Sequence, residues 1–205
     1  IRPGRNRKNI TSRTIARELA TIKSFFKYLV LVERINNNPA INVQTPKIEK
    51  QIPNFVQLSK IQELMEQPKK EKRILIRKRD YAILELFYAT GIRLSELVGL
   101  NIGSVNHEES LLKVIGKGDK ERIVPFGKKA KSAMEQYLNE RGDGWCSKSD
   151  LPLFMSTKKK RISNRTVQHR LKKYLQNILG GKKGASPHTL RHTFGTHLLD
   201  NDADI

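Results

Sequence analysis

Two arginine-centred motifs constrain this chain more than any other feature: ATGIRLSELVGL around Arg93 and PHTLRHTFGTHLLD around Arg191. A guanidinium stays charged at any physiological pH and presents a planar fork of donors. Two such forks brought to one point make a site for a phosphate whose charge grows during reaction. The fold is therefore expected to close these distant segments around a phosphodiester.

The charge balance names the kind of partner. Against 20 Asp and Glu the chain carries 40 Lys and Arg, a formal charge of +20 over 205 residues. The excess is concentrated, with ten basic side chains and no acid in residues 151–184, and eleven basic against three acidic in residues 1–50. A short charge run is often just a solvated surface, but two such regions flanking apolar helices favour duplex nucleic acid. No signal or lipidation feature points to a membrane, and no apolar stretch approaches the ~20 residues that would span one. The lone Cys146 excludes an internal disulfide and a cysteine-rich zinc module, which suits a reducing cytoplasm; the expected location is cytoplasmic and nucleoid-associated. A chain that starts at Ile1 and stops at Ile205, after an unfinished acidic turn, reads as a piece of a longer protein.

Thr11 or Ser12 is placed to cap a helix with the apolar stripe Ile15, Leu19, Ile22, Phe26 and Leu29, expected to be core. Arg13, Arg17, Ser24 and Lys27 fall opposite, where a phosphate-tracking face accounts for the charge better than plain solvent exposure. The run NNNPAINVQTPKIEKQIP, residues 36–53, has three prolines and little periodicity, the composition of a linker. Beyond it, residues 58–66 and 80–90 read as helices, the second ending at Gly91 in a left-handed position. Arg93 then sits in a tight turn. Glu96, three residues on, supports Arg93 or a neighbouring backbone donor, or simply favours a helix start. Residues 110–127 read as a hairpin, with Leu111 to Ile115 and Arg122 to Pro125 flanking a turn of Gly116 to Lys120. Lys117, between two glycines at its tip, is able to deliver a proton to a departing oxygen. No Walker spacing accompanies it.

Residues 163–179 form an amphipathic pattern with Val167, Leu171, Leu175 and Ile178 on one side. Arg165, His169 and Lys172 lie near the other, preceded by Lys158, Lys159, Lys160 and Arg161, a set suited to lying along a duplex. Ser186 and Pro187 read as N-cap and first position of a last helix, which brings His188 and Arg191 to one face near its N-terminal end. His192 and His197 read as helix-packing groups or as groups that support the site residues from behind. A zinc site is not expected, because no Glu stands in the HExxH place and no cysteine cluster is near.

ATGIRLSELVGL, VIGKGDKERIVPFG and HTLRHTFGTHLLDNDADI, in this order, resemble the catalytic domain of the tyrosine recombinase (phage integrase) family, and in wording lie nearest Xer-type chromosome-resolving recombinases. SRTIARELATIKSFFKYLV resembles the end of that family's core-binding domain. The resemblance implies a mainly α-helical fold with a small antiparallel sheet or hairpin: residues 1–43 as part of a core-binding domain, 44–53 as linker, 54–205 as catalytic domain. It implies that Arg93 and Arg191 hold the nonbridging oxygens of the scissile phosphate, His188 assists as acid, base or donor, Lys117 protonates the leaving 5′-hydroxyl, and Glu96 supports. The family's nucleophile is a tyrosine that gives a 3′-phosphotyrosyl link, with no metal or cofactor, and its active assembly is a tetramer on two duplexes. That tyrosine would lie beyond Ile205, whereas Tyr28, Tyr81, Tyr88, Tyr137 and Tyr174 all read as packing aromatics. Residues 1–205 are thus expected to bind DNA without cutting it. A nonenzymatic DNA-binding regulator and a type IB topoisomerase are the rival readings.

Overall fold

The computed structural model describes residues 10–48, 55–116, 118–145, 149–180 and 186–199. The chain divides into two compact units, Ile1–Ile52 and Pro53–Ile205.

The first unit is built on α1 (Ser12–Leu31). Of the two candidate caps, Thr11 is the one used, its hydroxyl accepting from the Thr14 amide at 3.3 Å. The chain then returns along the helix, where the Asn38 amide donates to the Lys23 carbonyl at 3.1 Å and Lys23 Nζ donates to the Ile41 carbonyl at 3.2 Å. This return buries Ala16 and Ala40 and little else. The expected core stripe is corrected accordingly: Ile15 and Ile22 are 44% and 47% exposed, while Leu19, Phe26 and Leu29 are half-buried. One helix and a short return segment offer too little facing surface to cover a whole apolar stripe. Tyr28, 58% exposed on the same helix, is likewise not a packing aromatic.

In the second unit α2 (Leu58–Glu66) runs into a 3₁₀ turn at Gln67–Lys70 and is followed by α3 (Ile74–Thr90). Next come α4 (Leu94–Gly99), a 3₁₀ turn at Ile102–Ser104, and strands β1 (Val105–Asn106), β2 (Leu111–Ile115) and β3 (Glu121–Pro125). Helices α5 (Lys128–Arg141), α6 (Asn164–Ile178) and α7 (Pro187–Leu199) complete it. The fold is mainly helical, with the strands in one antiparallel sheet of order β1-β2-β3. Leu112 and Val114 alternate inward from β2. Their β3 partners are Val124 and Arg122, so a charged side chain shares the inward-facing phase with apolar ones. On the solvent side Lys113 pairs with Glu121 at 2.8 Å.

Helix α3 is buried on nearly every side, including Ile83, Leu84, Leu86 and Phe87, as befits the central helix of a domain. It begins at Ile74 rather than near Asp80, because Arg79 and Asp80 are not a solvated helix start but part of the interior, each under 5% exposed. Helix α6 takes Ser163 as its cap, the hydroxyl accepting from the Thr166 amide at 3.2 Å, and buries the expected Val167, Leu171, Leu175 and Ile178. Tyr137 of α5 stacks on Phe154 at 5.9 Å.

An ionic network joins these helices. Asp80 Oδ1 accepts from Arg79 Nε and NH2 at 3.0 and 2.8 Å, and Oδ2 accepts from Arg170 Nε at 2.5 Å and from the Tyr174 hydroxyl at 2.8 Å. Arg79 also donates to the Met155 carbonyl, and Arg170 donates to Glu71 at 2.9 Å. Burial, and then the Asp80 charge, push the Tyr174 hydroxyl far above its ordinary titration range, so it remains a donor. Removing the carboxylate would strand a buried Arg79. Asp80→Ala is therefore expected to cost about 3–5 kcal/mol in urea unfolding of the chain, and a loss below ~1 kcal/mol would show that the network is dispensable.

Candidate active site

The turn that carries Arg93 is set by Gly91. Its φ of +54° lies in the left-handed region, its amide donates to the Phe87 carbonyl at 2.9 Å, and a Cβ there would overlap the ring of Phe194. Both the conformation and the space require glycine. Two residues later Arg93 is extended and precedes α4. Glu96, in the first turn of α4, folds back on it: Oε2 accepts from the Arg93 backbone amide at 2.7 Å and Oε1 from Arg93 NH1 at 3.1 Å.

The same carboxylate is held from the sheet by a residue that sequence reading did not single out. Arg122 of β3 donates from NH1 to Oε1 at 2.9 Å and from NH2 to Oε2 at 2.8 Å, a two-pronged arrangement matched to a carboxylate. The Glu96 side chain is only 3% exposed, whereas that of Arg93 is 57% exposed. The Arg122 hydrogen bonds, opposed by burial and aided by the Arg93 amide, hold the Glu96 carboxyl down at about 2. Glu96 thus accepts from both the backbone and the side chain of Arg93, and it also stands as the acid in the first turn of α4.

Helix α7 starts at Pro187, and Thr189 accepts from the Ser186 amide at 3.2 Å. Arg191 is half-buried and its NH1 donates to the Gly91 carbonyl, the residue that ends α3. Thr193, fully buried, accepts from the Val56 amide at 2.9 Å and fixes α7 against the start of the unit. His197 packs as expected, Nδ1 lying 3.0 Å from the Tyr88 hydroxyl. His192 does not: it is exposed, because the buried side of α7 is formed by Thr189, Leu190, Thr193 and His197. Among the described residues no three His, Cys, Asp or Glu side chains are grouped as metal ligands.

Arg93, His188 and Arg191 line one cleft of about 430 Å³, together with Asn164 and Gln168 of α6. His188 is exposed in it. Lys117 lies outside the described residues, but its neighbour Gly116 abuts the ion cluster: a Cβ at that position would be 3.4 Å from Arg122 NH1 and 3.7 Å from Glu96 Oε1. Arg165, His169 and Lys172 are exposed along α6, on the side next to the two that face the cleft, and Lys158 and Lys159 are exposed just before it. Arg161 is exposed there as well, and its guanidinium also donates to the carbonyls of Val98 and Leu100 and to the Asn101 side chain, bracing the segment after α4. In the first unit Arg13, Arg17 and Lys27 are exposed on α1.

Residues 54–205 match the phage integrase family. The chain belongs to that family. It is 44% identical to tyrosine recombinase XerC of Thermodesulfovibrio yellowstonii, over 97% of this chain and 66% of the relative. With tyrosine recombinase XerC of Syntrophus aciditrophicus it shares 42% identity, over 97% and 65%. The chain thus spans about two thirds of the length of these curated relatives. Among solved structures it is similar to the crystal structure of XerA recombinase, at 28% identity and a TM-score of 0.64, covering 97% of this chain and 73% of that one. The Tn1549 transposon integrase in complex with a circular intermediate DNA has the same fold, with a TM-score of 0.75 at 16% identity, covering 96% and 69%. The likeness to Xer-type tyrosine recombinases extends over nearly all of this chain.

The low titration of Glu96 makes a testable statement about stability. Its free carboxyl titrates near 4.5 and its folded one at about 2, so on acidification the unfolded chain takes up the proton first. The contribution, on the order of 3 kcal/mol, is complete above about pH 4.5 and is lost as pH falls toward 2. Urea unfolding between pH 7 and pH 3 is expected to show this loss in the parent protein, and to show it largely removed in Glu96→Gln. Unchanged pH dependence in that variant would refute the assignment. At the neighbouring turn, Gly91→Ala is expected to cost at least ~1 kcal/mol in the same unfolding measurement, through its positive φ alone.

Proposed function

We propose that this chain is the catalytic region, with the end of a helical core-binding domain in residues 1–43 and a linker in 44–53, of a site-specific recombinase. It cuts and rejoins duplex DNA through a 3′-phosphotyrosyl intermediate, in Xer-like chromosome resolution or in integration of a mobile element. The observation that carries this reading is the cleft in which Arg93, His188 and Arg191, delivered by two separate segments, face one space. Membership of the phage integrase family supplies the chemistry to go with it.

In that chemistry a tyrosine oxygen attacks phosphorus, the P–O5′ bond breaks, and the 5′-oxygen takes up a proton as it leaves. Arg93 and Arg191 stabilise the negative charge that grows on the nonbridging oxygens. His188, exposed at the N-terminal turn of α7, donates to a phosphoryl oxygen or relays the nucleophile's proton. Lys117 protonates the leaving oxygen. The reverse sequence, with a 5′-hydroxyl from another strand as nucleophile, releases the tyrosine and rejoins the backbone. The bond energy is conserved in the phosphotyrosyl link.

The partners are duplex DNA and further protomers, four on two duplexes during exchange, in the cytoplasm at the nucleoid. Lys158, Lys159, Arg161, Arg165, His169 and Lys172 track the DNA backbone beside the cleft, and Arg13, Arg17 and Lys27 do so from α1. These contacts position the protein without reading sequence. Among the described residues no helix is long and apolar enough to cross a membrane.

In the full-length recombinase, Arg191→Ala is expected to abolish covalent adduct formation on a nicked suicide substrate. Duplex binding should persist, the slope of log K against log[salt] falling by only about one. Adduct formation by Arg191→Ala at the parent rate would refute the role of this arginine.

A further inference from the structure

We propose that Arg122 is a positioning residue for the cleft: by holding both oxygens of Glu96, it keeps the Arg93 guanidinium turned outward as a net positive charge for the phosphate. The inference rests on the recombinase reading given above.

The argument begins with the charges. Glu96 receives four donors, two from Arg93 and two from Arg122. Arg93 and Glu96 alone would sum to zero, and a nearly buried carboxylate with one cationic partner would draw that partner inward or take up a proton. Arg122 changes the sum to +1. With Glu96 already neutralised from the sheet side, Arg93 needs only NH1 and its backbone amide to satisfy the acid, and most of its side chain remains open.

Geometry makes the clamp stiff. Arg122 lies opposite Val114 in the hairpin register, on the inward-facing phase of β3, so the strand ladder fixes its Cα while the two parallel hydrogen bonds fix its guanidinium. The backbone at Gly116 lies against the same cluster, where a Cβ would come into ordinary contact with Arg122 NH1 at 3.4 Å. Sliding the hairpin by one residue would turn Arg122 to the opposite face and break both bonds. The sheet and the turn before α4 are thus registered to one another through a single carboxylate.

The test uses the full-length recombinase on suicide substrates carrying either the natural phosphodiester or a methylphosphonate at the scissile position. The methylphosphonate lacks one nonbridging charge, so its reaction depends less on a correctly held cation. Arg122→Gln is expected to slow single-turnover cleavage of the phosphodiester by about 10- to 100-fold, the range seen when a supporting partner of a reactive group is removed. Duplex affinity should change by no more than about twofold, because both prongs of the Arg122 guanidinium are taken up by Glu96. On the methylphosphonate the deficit is expected to shrink to a few-fold. Arg122→Lys keeps the charge without the fork and should fall between the parent and Arg122→Gln. It carries the comparison alone if the Gln variant fails to fold. Parent-like cleavage by Arg122→Gln, or an equal deficit on both linkages in a variant that melts at the parent temperature, would overturn the proposal. Absence of any adduct from the parent protein would instead overturn the recombinase reading, and this inference with it.

Discussion

Repulsion among like charges is the constraint that the second unit has to solve. A chain with twice as many basic as acidic side chains gathers guanidinium groups in close pairs, whose mutual repulsion has to be offset. Two buried carboxylates make this possible. Asp80 accepts from Arg79, Arg170 and Tyr174, and Glu96 accepts from Arg93 and Arg122. Each acid has its desolvation offset by several charge-assisted hydrogen bonds rather than by one partner. Asp80 does this for the frame, joining α3 to α6. Glu96 does it for the cleft.

Helix α3 connects the two. Its middle contributes Asp80, and its C-terminal end at Gly91 gives the chain the turn that leads to Arg93 and offers a carbonyl to Arg191. Helix α7 is secured independently through Thr193 and Val56. The positions of the cleft side chains thus depend on backbone groups and buried hydroxyls, while the side exposed to a ligand consists of His188, Arg93 and the polar face of α6. A rigid support behind mobile-length side chains is the arrangement that orientation-dependent phosphoryl chemistry requires.

Much of this was legible in the sequence where a local rule has one physical solution. Gly91 was readable because a helix ending on glycine favours the left-handed position, and α6 because its apolar residues recur at helical spacing after a serine cap. The hairpin followed from β-favouring residues on either side of a glycine-bearing turn. What escaped depends on tertiary partners. Asp80 looks like a helix-starting acid, and only the distant Arg170 and Tyr174 make it an interior group. Arg122 does carry a signal: it falls in phase with Val124 on the inward face of a strand, where a charge implies a buried partner. The stripe of α1 failed in the opposite sense, since periodicity says which residues share a face but not whether anything covers it. His192 shows the same limit, because a histidine on a helix looks alike whether it packs or faces solvent.

The contact between Arg191 and the Gly91 carbonyl bears on how an anion would be received. A long side chain that is free in solvent loses rotational freedom when it grips a ligand, and that loss opposes binding. Here the freedom is surrendered when the polypeptide folds, since one end of the fork is already anchored to the scaffold. Tightness of grip and integrity of the α3–α7 junction therefore become linked quantities: loosening the junction would weaken affinity without any change in the residues that touch the ligand.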